Sequence, residues 1–139
     1  MYEFIEGTVT WRGADCVVAV GGIGYLVRVG QRTKHLLEKD MGFAGQAISQ
    51  HIFVHHRVRE EEESLYGFYT AADRDLFEAL LTVERVGPAT ALGIVDLGEP
   101  ENVWQAIRLG NVAFLRRARG CGDKAAGNIV LALAKKGSA

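Results

Sequence analysis

The hydrophobic period of this chain changes at Thr70 from strand-like to helical. A chain with such a change folds as strands first and helices after. Before it, "YEFIEGTVTW" alternates in part, "DCVVAV" is a brief apolar run, "GGIGYLVRV" opens on glycines and then alternates, and "QAISQHIFVHHRV" is a longer strand candidate. "SLYGFY" makes a fifth strand, and "RTKHLLEKD" reads as a helical insert. Five short strands with glycine-rich turns suit a small closed barrel, because closure removes the unpaired edges an open sheet would expose. An oligonucleotide-binding (OB) barrel is the natural candidate, though period alone does not separate it from other small barrels. From Thr70 the apolar residues Leu76, Phe77, Leu80 and Leu81 form a helical stripe, and Thr70 with Asp73 three residues on approximates a capping box. The expected fold class is therefore α+β: a five-stranded barrel over 1–69, then an all-helical domain over 70–139.

The helical part repeats itself at an offset of 35. "LLTVERVGPATALGIV" aligns with "LRRARGCGDKAAGNIV", pairing Leu80 with Leu115, Gly87 with Gly122, Ala91 with Ala126, Ile94 with Ile129 and Val95 with Val130. Two copies are too few for a solenoid. The shared plan is helix, tight glycine turn, helix, with Gly98, Pro100 and Gly110 punctuating the connection. A glycine just before a helix permits φ > 0 and close approach of a partner, while the unpaired N–H groups of the next helical turn face outward. Such donors suit a phosphate oxygen. In the second copy Arg116, Arg117 and Arg119 precede the turn and Lys124 follows it, so backbone donors and cations would meet a nucleic-acid backbone without reading its bases.

Charge agrees with that placement. The net charge is −1, yet residues 1–69 hold seven Lys or Arg against nine Asp or Glu, whereas 108–139 hold seven against the single Asp123. No apolar stretch reaches the roughly 20 residues that span a bilayer. The opening "MYEFIEGTVTW" carries acids where a secretory signal carries a basic flank, so the expectation is a cytoplasmic protein with no membrane partner. Cys16 and Cys121 fit no metal-ligand spacing. Alternation puts His51 and His55 on one strand face and His56 on the other, without a closed ligand set. "GGIG" leads into a strand, so a dinucleotide site fails on its own structural condition. With no phosphate-loop lysine and no serine elbow, no catalytic residue, metal or cofactor is expected. The run of four glutamates in "VREEEESLYGF" reads, on its own, as a solvated charged turn.

"GIGYLVRV", "VREEEESLYGF", "DRDLFEALL", "VERVGPATALGIV" and "RGCGDKAAGNIVLAL", in this order and spacing, closely resemble the RuvA family, the bacterial subunit that recognises the four-way Holliday junction. The resemblance covers essentially the whole chain. It implies an OB barrel, a tandem helix-hairpin-helix domain, and a third, linker-tethered domain that engages the RuvB motor ATPase. This chain stops at "ALAKKGSA", where the family continues into that third domain. It also implies a homotetramer with one basic face for the open junction, two tetramers enclosing the DNA as an octamer. The family's acidic pin falls on Glu60 and Glu61, where four subunits would ring the junction centre with carboxylates. The hairpin residues then become DNA-binding candidates: Arg85, Val86, Gly87, Ala89 and Thr90 in the first, Arg117, Arg119, Gly120, Cys121, Gly122 and Lys124 in the second.

The chain departs from the family pattern in ways that bear on binding. Arg85 stands where the family has glycine, which strains the hairpin if that position needs φ > 0. Ala89 replaces a lysine, Asp123 another lysine, and Asn128 an arginine. The expected function is sequence-independent binding of four-way junctions, held open for branch migration by a RuvB-type motor. The alternatives are a nonspecific DNA-binding module, and an oligomeric scaffold in which those four positions have weakened DNA binding.

Overall fold

A computed structural model describes residues 1–41 and 48–136. Five strands form in chain order: β1 (Phe4–Arg12), β2 (Asp15–Val20), β3 (Ile23–Val29), β4 (Ser49–Arg59) and β5 (Glu62–Phe68), with helix α1 (Gln31–Lys39) between β3 and β4. They close into a barrel in the order β1-β2-β3-β5-β4, the expected five-stranded architecture. Every neighbouring pair is antiparallel except β3 with β5, which is parallel. That exception follows from α1, whose crossover frees β5 to pair with β3 on one side and β4 on the other. Gln46 and Ala47, the first residues of the expected fourth strand, lie outside the described residues.

Period-2 alternation decides what fills the barrel. Ile5, Val9, Cys16, Val18, Val27, Val29, Ile52 and Val54 point inward, and Leu37 of α1 packs with them. Gly67 in β5 is required by this packing: a Cβ there would stand 2.5 Å from Val27 Cγ1 and 2.9 Å from Ile52 Cγ2. Burial pushes the Cys16 thiol up to about 12, so it stays neutral and acts as a small core group. At the other end of β2, Gly21 and Gly22 take φ 55° and 85° between the paired Val20 and Ile23, the two-residue turn whose twist matches antiparallel strands.

Among the described residues there are six helices, α1 included: α2 (Ala71–Leu81), α3 (Pro88–Val95), α4 (Pro100–Arg108), α5 (Val112–Leu115) and α6 (Asp123–Leu133) follow the barrel. The start of α2 is capped as its sequence indicates, with a different bond pattern. Thr70 Oγ1 accepts from the Asp73 N–H at 3.1 Å and its own hydroxyl donates to Asp73 Oδ2 at 2.7 Å. Asp73 is fully buried, and Arg32 Nε meets its other oxygen at 3.1 Å, so the buried charge is paired.

The chain divides into two units, Met1–Arg74 and Asp75 onward. In the second, α4 buries Pro100, Val103, Trp104 and Ile107, the i, i+3, i+4, i+7 stripe of an amphipathic helix. Asn111 caps α5 by accepting from the Phe114 N–H at 3.1 Å. Ile94, Leu115, Ala126 and Ile129 are completely buried, and all four are positions that the repeat pairs.

Candidate nucleic-acid interface

The repeat in sequence is a repeat in backbone geometry. In the first copy the Val83 N–H donates to Leu80 O and the Val86 N–H to Val83 O, both at 3.1 Å; 35 residues on, Ala118 donates to Leu115 O at 3.1 Å and Cys121 to Ala118 O at 3.2 Å. Then Ala91 N–H closes the first turn of α3 on Gly87 O at 2.9 Å, and Ala126 that of α6 on Gly122 O at 3.0 Å. Val86 and Cys121 are both buried. They anchor the hairpins inward, and burial raises the Cys121 thiol pKa.

Left-handed backbone occurs in these hairpins, but not at the glycines before the helices. It falls two residues earlier, at Arg85 with φ 71° and Gly120 with φ 81°. Arg85 is the sole non-glycine with positive φ among the described residues. Gly87 and Gly122, the N-cap residues, are extended at φ −96°, ψ −179° and φ −91°, ψ −173°, a conformation any residue adopts. A Cβ on either would meet nothing within 4 Å. Neither conformation nor packing within the chain therefore requires glycine at these two places. What glycine leaves is open space in front of a helix N-terminus whose first N–H groups have no intrahelical partner: those of Ala89 and Thr90 in α3, and of Asp123, Lys124 and Ala125 in α6.

The charges around the two hairpins differ. Arg85, Arg117, Arg119 and Lys124, the candidate cations named by the sequence, are set around the turns, and all four are exposed. Lys124 occupies in α6 the place of the exposed Ala89 in α3, so hairpin two, unlike hairpin one, carries a cation in the first turn of its helix. Arg117 lies over the Phe114 ring at 5.4 Å. Arg116 Nε pairs with Asp123 Oδ1 at 3.1 Å, and Asn128 Nδ2 donates to Glu84 O at 3.2 Å. By sequence alone Asp123 and Asn128 read as missing cations, and Asp123 also as an acid that favours the helix start; neither bond has a local sequence signal.

In the barrel the four glutamates separate into a tip and a stem. Arg59 pairs with Glu62 across β4 and β5, leaving Glu60 and Glu61 as the exposed two-residue turn. Glu62 meets Arg28 at 3.6 Å and accepts from Ser64 Oγ at 3.0 Å, while Glu63 meets His56 Nε2 at 2.6 Å. Glu60 and Glu61 have no side-chain partner among the described residues. His51 instead pairs with Glu6 at 3.0 Å. Among the described residues no His, Cys, Asp and Glu cluster is arranged to hold a metal.

Comparison with known proteins divides the chain in the same way. Residues 1–67 match the RuvA N-terminal domain family and residues 77–135 the SAM-like helix-hairpin-helix tandem. Proteins named Holliday junction branch migration complex subunit RuvA are similar over nearly all of it. That of Brevibacillus brevis is 35% identical over 137 residues, covering 98% of this chain and 63% of the relative. For Pediococcus pentosaceus the values are 36%, 98% and 66%, and for Amoebophilus asiaticus 34%, 98% and 68%. The chain spans about two thirds of the length of these relatives.

Proposed function

The chain belongs to the RuvA family, and from that premise we propose that it binds four-way DNA junctions by their phosphates, without reading base sequence, and hydrolyses nothing itself. The observation that carries this reading is the pair of N-cap glycines, Gly87 and Gly122, extended and with open space where a side chain would be. Glycine there serves something that approaches from outside, and the orphan N–H groups behind it favour an anion. Arg85 adds a cation at hairpin one; Arg117, Arg119 and Lys124 do so at hairpin two. Each neutralised phosphate releases counterions, so affinity falls steeply with salt.

The exposed tip carboxylates of Glu60 and Glu61 have the opposite role. In a homotetramer, or two enclosing the junction as an octamer, they would gather at the crossover and repel phosphates of a closed arrangement. Such repulsion lowers affinity locally and raises selectivity for the open form. A RuvB-type motor would then drive branch migration in the cytoplasm. A second reading, a scaffold with weakened DNA binding, draws on one observation: the Arg116–Asp123 pair takes a cation out of hairpin two.

Titrating the protein with a four-way junction and with a duplex of equal length, at several salt concentrations, decides between them. Junction binding is expected to be tighter by at least tenfold and to weaken with salt. Equal affinity for both substrates would favour a nonspecific binder, and no binding at low salt the scaffold.

A further inference from the structure

The two hairpins are tied to each other by bonds that cross between the repeats. Thr90, in the helix of the first copy, donates its Oγ1 hydroxyl to Gly120 O in the second hairpin at 3.3 Å. Asn128, in the helix of the second copy, donates its amide to Glu84 O in the first hairpin at 3.2 Å. Both acceptors lie at the left-handed turn, since Glu84 immediately precedes Arg85 and Gly120 is itself the positive-φ residue. A third approach completes the pattern. Gly93 occupies in the first copy the place of Asn128, and a Cβ there would stand 3.0 Å from Arg119 O, the carbonyl matching that of Glu84. One hairpin thus stands off its neighbouring helix by the length of an asparagine, and the other rests on bare backbone.

Resting on the proposed phosphate-binding role, we infer that Thr90 and Asn128 are positioning residues, each holding the hairpin of the opposite repeat so that both grip one DNA at a fixed separation. A phosphate clamp made of two loops works as a unit only if their spacing matches the DNA, and binding to a preset spacing avoids the cost of ordering it. Two side-chain-to-carbonyl bonds running in opposite directions fix that spacing through the carbonyls of the turns. Asn128, at a position where the family resemblance implies a further cation, supports hairpin one.

The test uses the whole chain, Thr90→Val, Thr90→Ser and Asn128→Ala, and two readouts. Without DNA, amide hydrogen exchange is followed at Val86 and Cys121, whose N–H groups close the two hairpins. Asn128→Ala is expected to speed exchange roughly fivefold at Val86 and leave Cys121 unchanged, and Thr90→Val to do the reverse, as for loss of one hydrogen bond. With a synthetic four-way junction, both variants are expected to lose about fivefold or more in affinity, and Thr90→Ser to recover what Thr90→Val loses. Faster exchange in the mutated copy's own hairpin, or equally in both, would overturn the inference. So would the crossed pattern with unchanged junction affinity. Should the wild-type protein bind no junction, the functional reading falls on that arm alone, and the exchange pattern still decides whether the braces exist.

Discussion

At Arg85 the backbone sits at φ 71°, where an L side chain costs about 1 kcal/mol relative to glycine. The same side chain brings a positive charge to a hairpin whose helix has the uncharged Ala89 in its first turn. Arg85→Gly is accordingly predicted to raise stability by about 1 kcal/mol in urea unfolding. It should also weaken junction and duplex binding by a similar factor and reduce the salt slope by roughly 1 for each phosphate no longer neutralised. Asp123 presents the converse case. Its pair with Arg116 is well exposed, and exposed pairs contribute little to stability. Asp123→Asn is predicted to leave the unfolding midpoint nearly unchanged and to strengthen binding to both DNA forms, because it frees a cation and removes a like charge from the phosphate path. Equilibrium titrations at two salt concentrations check both substitutions.

The β4–β5 hairpin holds Glu62 and Glu63 through Arg28, Ser64 and His56 and leaves Glu60 and Glu61 at the turn. Reversing both tip residues to lysine is predicted to raise duplex affinity several-fold and to shrink the junction preference, measured by parallel titration; the barrel should keep its thermal midpoint. This division into tip and stem shows what the sequence makes legible. Alternation locates the strands and the glycine spacing locates both hairpins, because periodicity and turn chemistry are local. The parallel β3–β5 pairing, the Arg116–Asp123 bond and the Asn128–Glu84 bond are not legible, since each depends on where separate segments meet. A glycine in a sequence also reads alike whether it supplies left-handed backbone or empty space. Only the fold assigns the first role to Gly120 and the second to Gly87 and Gly122.

For the protein as an assembly, the proposed four-fold arrangement multiplies two modest clamps per subunit into eight. Simultaneous engagement then gives an affinity no single hairpin reaches. It also makes the assembly sensitive to small changes repeated in every copy. The central claim is that Gly87 and Gly122 are glycine for the sake of an approaching phosphate. Gly87→Val and Gly122→Val test it most directly, because the fold offers each new side chain an allowed conformation and open space. The loss in helix capping amounts to about 1 kcal/mol. Four-way junction binding by each variant is measured across a salt series, at matched fold content and assembly mass. The account predicts at least a tenfold loss of affinity with a shallower salt slope for both variants. Wild-type affinity and slope in properly folded, properly assembled variants would contradict it.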